Sequence, residues 1–334
     1  MSTWTEARRR SAASRRSSTS RARGRRSSGK ASFRPGRDAT DTSVREALLR
    51  AGKVSREARE RAVGLVTEGA LLLDVAEDVE DLFRKRGMRP AFPTCLSIDQ
   101  IAAHYTPTHD DALRFRRGNV VKLDLGAHLD GWIADTAVTV EVGTRNWTEL
   151  IRASELALQT AIEAVHPGVT TRAIGEGIQR AIESHGYRPV RNLTGHTIER
   201  YVLHAGKGVP NIPHGHDVLE AGEVVAIEPF ASAGAGQVDG RKTGNIYRVL
   251  RTKPLRDATL NAFLQTLSSE FKTLPFAERW AARLEPRAPS LLNQLVRSGS
   301  VMTYPALLDV GGGIVSQTEH TLLIRADGVV VTTA

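Results

Sequence analysis

Two aspartates stand in a stretch whose pattern reads as a β-hairpin. Asp124 ends the apolar run Val120–Leu125. Asp135 lies inside the run Trp132–Val142, and the turn signal Asp130-Gly131 separates them. With Asp130 and Gly131 as the two loop residues, paired positions sum to 261 and Asp135 falls opposite Gly126. Strand side chains alternate between faces, so Gly126 and Asp124 share a face and the two carboxylates become diagonal neighbours. Two carboxylates packed so closely repel unless one keeps a proton or a cation neutralises them. The flanking Val-Val-Lys-Leu and Thr-Ala-Val-Thr-Val residues mark the strand pair as core-forming, so a shared cation is the reading to pursue.

The chain carries a second copy of this pattern. Leu49-Arg50-Ala51 resembles Ile151-Arg152-Ala153, Gly87-Met88-Arg89-Pro90 resembles Gly186-Tyr187-Arg188-Pro189, and 118–124 resembles 222–228, at offsets of 102, 99 and 104. Their common order and nearly constant offset identify two halves related by an approximate two-fold axis. Asp124 then maps onto Glu228, and Asp135 onto Glu319. The acids are 11 positions apart in the first half and 91 in the second, so the second half is 80 residues longer, through an insertion lying roughly between Gly234 and Tyr304. The insertion, at about 240–300, has helical periodicity over 257–296, where Leu260, Phe263, Leu264, Leu267 and Phe271 fall at core spacing.

Four carboxylates converging across a two-fold axis need cations. An oxygen-rich site with one imidazole suits Mn, Fe, Co or Zn, commonly as a pair. The candidate imidazoles are His196 and His204, and His104 holds the matching place in the first half, 100 residues before His204. His109, His166, His185, His214 and His216 sit in polar loops or at helix ends and read as ordinary surface residues.

These groups need elements to hold them. A helix is expected over Leu72–Arg86, with Asp74 as N-cap and Gly87 as stop. Two more are expected over Asn146–Val165, which opens on an Asn-x-x-Glu pattern, and over Thr170–His185, stopped by Gly186. Further strands are Glu223–Ile227, Gly244–Leu250 and Glu319–Ile324. Helices grouped on one side of a mostly antiparallel sheet give an α+β class.

The charge distribution excludes a basic globular body. The 334 residues carry a formal charge of +9, yet residues 1–40 alone hold +10, leaving −1 for the rest. With nine serines, twelve basic residues and only Met1, Trp4 and Phe33 as large apolar side chains, that segment reads as a disordered tail. It lacks the apolar stretch of a secretory signal, although its Arg/Ser-rich, acid-poor make-up is shared with organellar transit peptides. Such a tail would bind polyanions such as ribosomal RNA in a salt-dependent way. No apolar run of about 18 residues occurs, so no transmembrane helix is expected. The single cysteine, Cys95, excludes an intrachain disulfide framework and fits a reducing compartment.

Residues 43–334 resemble the methionine aminopeptidases, within them the type II, archaeal and eukaryotic, branch. The likeness rests on Ala91-Phe92-Pro93-Thr94, Ala102-Ala103-His104-Tyr105-Thr106-Pro107 and Lys122-Leu123-Asp124-Leu125-Gly126. It continues through Asp130-Gly131, Ala134-Asp135-Thr136-Ala137, Gly195-His196, His204-Ala205-Gly206-Lys207, Ala226-Ile227-Glu228-Pro229-Phe230, Tyr304-Pro305 and Gln317-Thr318-Glu319-His320-Thr321. The resemblance implies the pita-bread fold, with the insertion as the helical subdomain that separates type II from type I. It implies two divalent cations (Co, Mn, Fe or Zn). Asp124 would hold one, Asp135 and Glu319 would bridge both, and His196 and Glu228 would hold the second. A bridging water would lose a proton under the two cations and attack the scissile carbonyl, with Glu228 as proton shuttle. His104 and His204 would bind the peptide and polarise its carbonyl. Phe92, Leu203 and Tyr304 would line an apolar methionine pocket. The implied enzyme is a cytoplasmic monomer that removes the initiator methionine from nascent chains, with a small second residue preferred. Proline-specific relatives carry an extra N-terminal domain that 40 residues cannot supply. Non-catalytic relatives have lost ligands, whereas all five are kept here.

Overall fold

The computed structural model describes residues 41–240 and 244–334. The expected disordered tail, residues 1–40, lies outside the described residues. Four helices and six strands of a nine-stranded sheet carry the site. The helices are Thr42–Leu65 (α1), Leu72–Lys85 (α2), Thr148–Ala164 (α3) and Thr171–Ser184 (α4). The strands are Cys95–Ile98 (β1), Val120–Leu129 (β2), Trp132–Glu141 (β3), Thr194–Ile198 (β4), Val224–Ile227 (β5) and, numbered after two strands of the insertion, Glu319–Arg325 (β8). The insertion contributes strands Ile246–Val249 (β6) and Val301–Tyr304 (β7), and helices Ala258–Phe271 (α5), Glu278–Leu284 (α6) and Ala288–Arg297 (α7).

The pairings run β1-β2-β3-β8-β5-β4, all antiparallel. That order is unchanged when the halves are exchanged, which is the two-fold relation expected from the repeat. The hairpin has the anticipated register, with Leu129 opposite Trp132 and Gly126 opposite Asp135. Asp130 and Gly131 both have positive φ, 52° and 89°, the backbone demanded by a tight turn that follows the strands' twist.

One face of the sheet buries the helices. Val121, Leu123, Leu125 and Ala127 of β2 pack with α1 and α2. Val225 and Ile227 of β5, with Leu322 and Ile324 of β8, pack with α3 and α4. These positions alternate with Asp124 and Gly126 on β2, so the acids are left to the opposite face.

Three local readings need correction. Asp74 is not the N-cap of α2. The cap is Leu71, without a side-chain bond, because the chain enters the helix while paired with 113–114, where the Leu113 carbonyl takes the Leu72 N–H at 3.0 Å. Asp74 sits in the first turn instead, where a negative charge suits the helix dipole. Nor does Asn146 open α3, which starts at Thr148. The Glu141 carboxylate accepts the N–H groups of Asn146 and Trp147, each at 2.8 Å. Finally, α1 was not expected as a helix. Its buried stripe is built largely of small residues, among them Ala51, Gly52, Ser55, Ala58 and Ala62. They let it lie directly on the hairpin. The Ser55 hydroxyl donates to the Ala134 carbonyl and accepts from the Ala127 N–H, both at 3.0 Å. A Cβ on Gly52 would come within 1.9 Å of the Thr332 carbonyl oxygen.

Between β6 and β7, which pair antiparallel, the three inserted helices build a core of their own around Phe263, Leu264, Leu267, Trp280 and Leu292. Among the described residues, no helix is long and apolar enough to cross a membrane.

Candidate active site

Both halves converge on a cavity of about 410 Å³. All ten residues singled out in the sequence line it: Phe92, His104, Asp124, Asp135, His196, Leu203, His204, Glu228, Tyr304 and Glu319. The sheet register explains the meeting of the acids. Asp124 of β2 and Glu319 of β8 both stand opposite Ala137 of β3, one from each side, and Asp135 lies two residues along β3 on the same face. The small Ala137 side chain leaves the space between them open. Glu228 follows β5, and His196 of β4 closes the ring. The His196 Nε2 atom is 3.8 Å from an oxygen of Asp135 and 3.8 Å from one of Glu228. Asp135, His196 and Glu319 each offer a ligand atom within 4.8 Å of the others.

This arrangement fits divalent cations. One oxygen each of Asp124 and Asp135, and both of Glu319, are buried without a hydrogen-bond partner. Burial pushes all four carboxylates up, Asp124 to about 7, and repulsion from Asp124 lifts the other three further. Such a group of oxygens is unfavourable as it stands and becomes favourable around a cation. Gln317 is a site residue that the spacing did not single out. Its amide nitrogen lies 3.5 Å from Asp124 and 3.3 Å from Glu228, joining the two halves. Its position two residues before Glu319, on the same face, was the available signal.

The imidazoles sit together. The rings of His196 and His204 are 4.4 Å apart, and Tyr304 lies 5.5 Å from His104 and 6.3 Å from His204. Burial lowers His104 and His196 to about 4, and burial with His196 nearby lowers His204 to about 2, so all three rings are neutral at pH 7. His104 takes a left-handed backbone, φ 66°, an uncommon conformation for a residue with a side chain that is often found at functional positions.

A buried ion pair braces the walls. Arg279 of α6, only 1% exposed, bonds Glu80 of α2, and also donates to the Thr106 hydroxyl at 2.6 Å and the Pro107 carbonyl at 2.9 Å. Glu80 also accepts from the Trp280 indole at 2.7 Å and the Thr94 N–H at 3.3 Å. The pair thus ties the insertion to the segments that carry Phe92 and His104.

Residues 46–261 match metallopeptidase family M24. The chain belongs to that family. A methionine aminopeptidase of Methanocaldococcus jannaschii is 45% identical over 289 residues, 86% of this chain and 98% of that protein. The family's methionine aminopeptidases are therefore its group, and the archaeal relatives agree with the branch that the sequence resembles. The fold is the pita-bread α+β fold of the family. A solved thermophilic Arx1 superposes with a TM-score of 0.78 at 19% identity, covering 87% of this chain and 91% of that one. A Thermotoga maritima methionine aminopeptidase superposes at 0.64 with 24% identity, covering 87% and 97%. At such identities the two likenesses speak for the fold alone.

Proposed function

We propose that this member of the methionine aminopeptidases removes the initiator methionine from newly made proteins, using two divalent cations held by Asp124, Asp135, His196, Glu228 and Glu319. Metal-dependent release of N-terminal methionine is the activity of its family group. The observation that carries the finer reading is the ring of four buried carboxylates and one imidazole, with four oxygens left without partners.

When bound, the cations neutralise the carboxylates, activate water and polarise the scissile carbonyl. The protein's own groups do the rest. Glu228, at the edge of the carboxylate ring, would pass a proton towards the leaving amine. The Gln317 amide keeps Glu228 and Asp124 aimed inward. His104 and His204, neutral through burial, offer N–H donors to the peptide without adding charge of their own, and those bonds strengthen as charge develops on oxygen. Phe92, Leu203 and Tyr304 receive the methionine side chain. A cavity of this size favours a small second residue. All the proposed ligands come from one chain, so the site needs no second copy.

The expected result is release of methionine from Met-Ala-Ser by the metal-loaded protein, roughly tenfold or more faster than from Met-Leu-Ser. His196→Ala should remove the activity. No release by the fully metallated, unmodified protein would sink the reading, and equal rates on the two peptides would sink the preference.

The basic segment 1–40 adds a separable proposal, salt-dependent contact with ribosomal RNA near emerging chains. Co-sedimentation with ribosomes at low salt should fall when residues 1–40 are removed, and equal sedimentation of both forms would end the idea.

A further inference from the structure

The insertion supplies one wall of the cavity through β6 and β7. Their register pairs Ile246 with Tyr304 and Arg248 with Met302. Ile246 and Tyr304 line the cavity. Side chains two apart on a strand share a face, so Arg248 and Met302 are the next pair along that same wall. The charge of Arg248 is felt inside. Burial holds Tyr304 up, and the guanidinium opposes that effect.

Arg248 itself is left without a counter-charge. Among the described residues no carboxylate forms an ion pair with it. One terminal nitrogen donates to the Met302 thioether at 3.6 Å, a weak acceptor, and Nε is buried with no acceptor at all. A guanidinium does not shed its proton, and a part-buried donor without a partner is costly. Arg248 is half-buried, so solvent reaches part of its guanidinium, and a negative group that arrives with the substrate would supply the counter-charge that the protein does not.

We propose that Arg248 is a specificity-determining residue that receives a carboxylate of the peptide beyond the methionine. This rests on the cavity being the aminopeptidase site. The shared chemistry is a carboxylate, supplied either by an acidic side chain close behind the methionine or by the C-terminus of a short peptide.

The test uses the metal-loaded enzyme and four peptides: Met-Ala-Asp-amide, Met-Ala-Asn-amide, Met-Ala-Lys-amide and Met-Ala-Asn with a free C-terminus. For the unmodified enzyme, kcat/KM should be roughly tenfold higher, mainly through KM, for at least one carboxylate-bearing peptide than for the uncharged one. Arg248→Met should bring that ratio close to one. Arg248→Glu should prefer Met-Ala-Lys-amide over Met-Ala-Asp-amide. A gain on the aspartyl peptide assigns the side chain as the source, and a gain only on the free acid assigns the chain end. Ratios near one in the unmodified enzyme, or ratios that survive both substitutions, would overturn the proposal. Cleavage of the uncharged peptide by the unmodified enzyme speaks for the functional reading alone, so failure of the two is told apart.

Discussion

Stripped of metal, a Glu319→Gln variant should unfold at a higher temperature than the unmodified chain at pH 8, yet when loaded with metal it should release methionine roughly a thousandfold more slowly than the loaded unmodified enzyme. The two effects have one cause. Both Glu319 oxygens are buried without a donor, and burial, then Asp135, Glu228 and Asp124, push its carboxyl up. The neutral amide removes that cost and keeps the shape. The same change removes a ligand, and loss of several kcal/mol of stabilisation by the cation corresponds to about three powers of ten in rate. The pH dependence follows from the direction of the shifts. Asp124 has an ordinary pKa of 3.8 and is raised to about 7 in the fold. Above 3.8 the unfolded chain ionises while the folded one keeps its proton. Stability present below the ordinary value is therefore lost as pH rises through the folded one. Asp135, Glu228 and Glu319 act in the same sense. Buried histidines such as His104 act in the opposite sense below their ordinary value, so stripped and loaded protein are compared at each pH. Added Mn should raise the melting temperature more at pH 8 than at pH 5, and should do so far less for Glu319→Gln. A gain independent of pH, or equal in the variant, would remove these carboxylates from the metal site.

The hairpin was legible to the residue because two local signals agree. Asp130-Gly131 fixes the turn and strand alternation fixes the face, so Asp124 and Asp135 could be placed without any distant contact. The second half was legible through the repeat, which located Glu228 and Glu319 although 91 positions separate them. What escaped depends on tertiary packing. α1 hides its amphipathicity because the residues that approach the sheet are Ala, Gly and Ser, chosen for closeness rather than hydrophobicity. The entry to α3 is capped by Glu141 from the end of β3, which no pattern within α3 records. Arg248 read as an ordinary strand residue, since its lack of a partner is a property of the packed wall.

Glu80 and Arg279, 199 positions apart, are the furthest from legible, and their replacement has an asymmetric outcome. Glu80→Gln leaves the buried Arg279 charge without a counter-charge, beside only neutral groups such as the Thr106 hydroxyl, the Pro107 carbonyl and the Trp280 ring, and a guanidinium cannot neutralise itself by losing a proton. A stranded buried charge costs about 3–5 kcal/mol. For a body of this size that is a fall of roughly 10 °C in melting temperature. Arg279→Met strands Glu80 instead, but a carboxylate can take up a proton. Burial already raises the Glu80 carboxyl, and Arg279 is the largest influence holding it down. With Arg279 gone its folded pKa climbs further. Stability is then kept below the ordinary value of 4.5 and lost as pH rises through the folded one. Arg279→Met should thus lose less than Glu80→Gln at pH 5 and approach it at pH 8, and the double variant should recover part of both losses. Thermal unfolding of the three proteins at the two pH values decides it. Equal, pH-independent losses in the single variants would mean that the pair acts through shape alone. The predicted asymmetry would mean that its charges hold the insertion against the segments that carry Phe92 and His104.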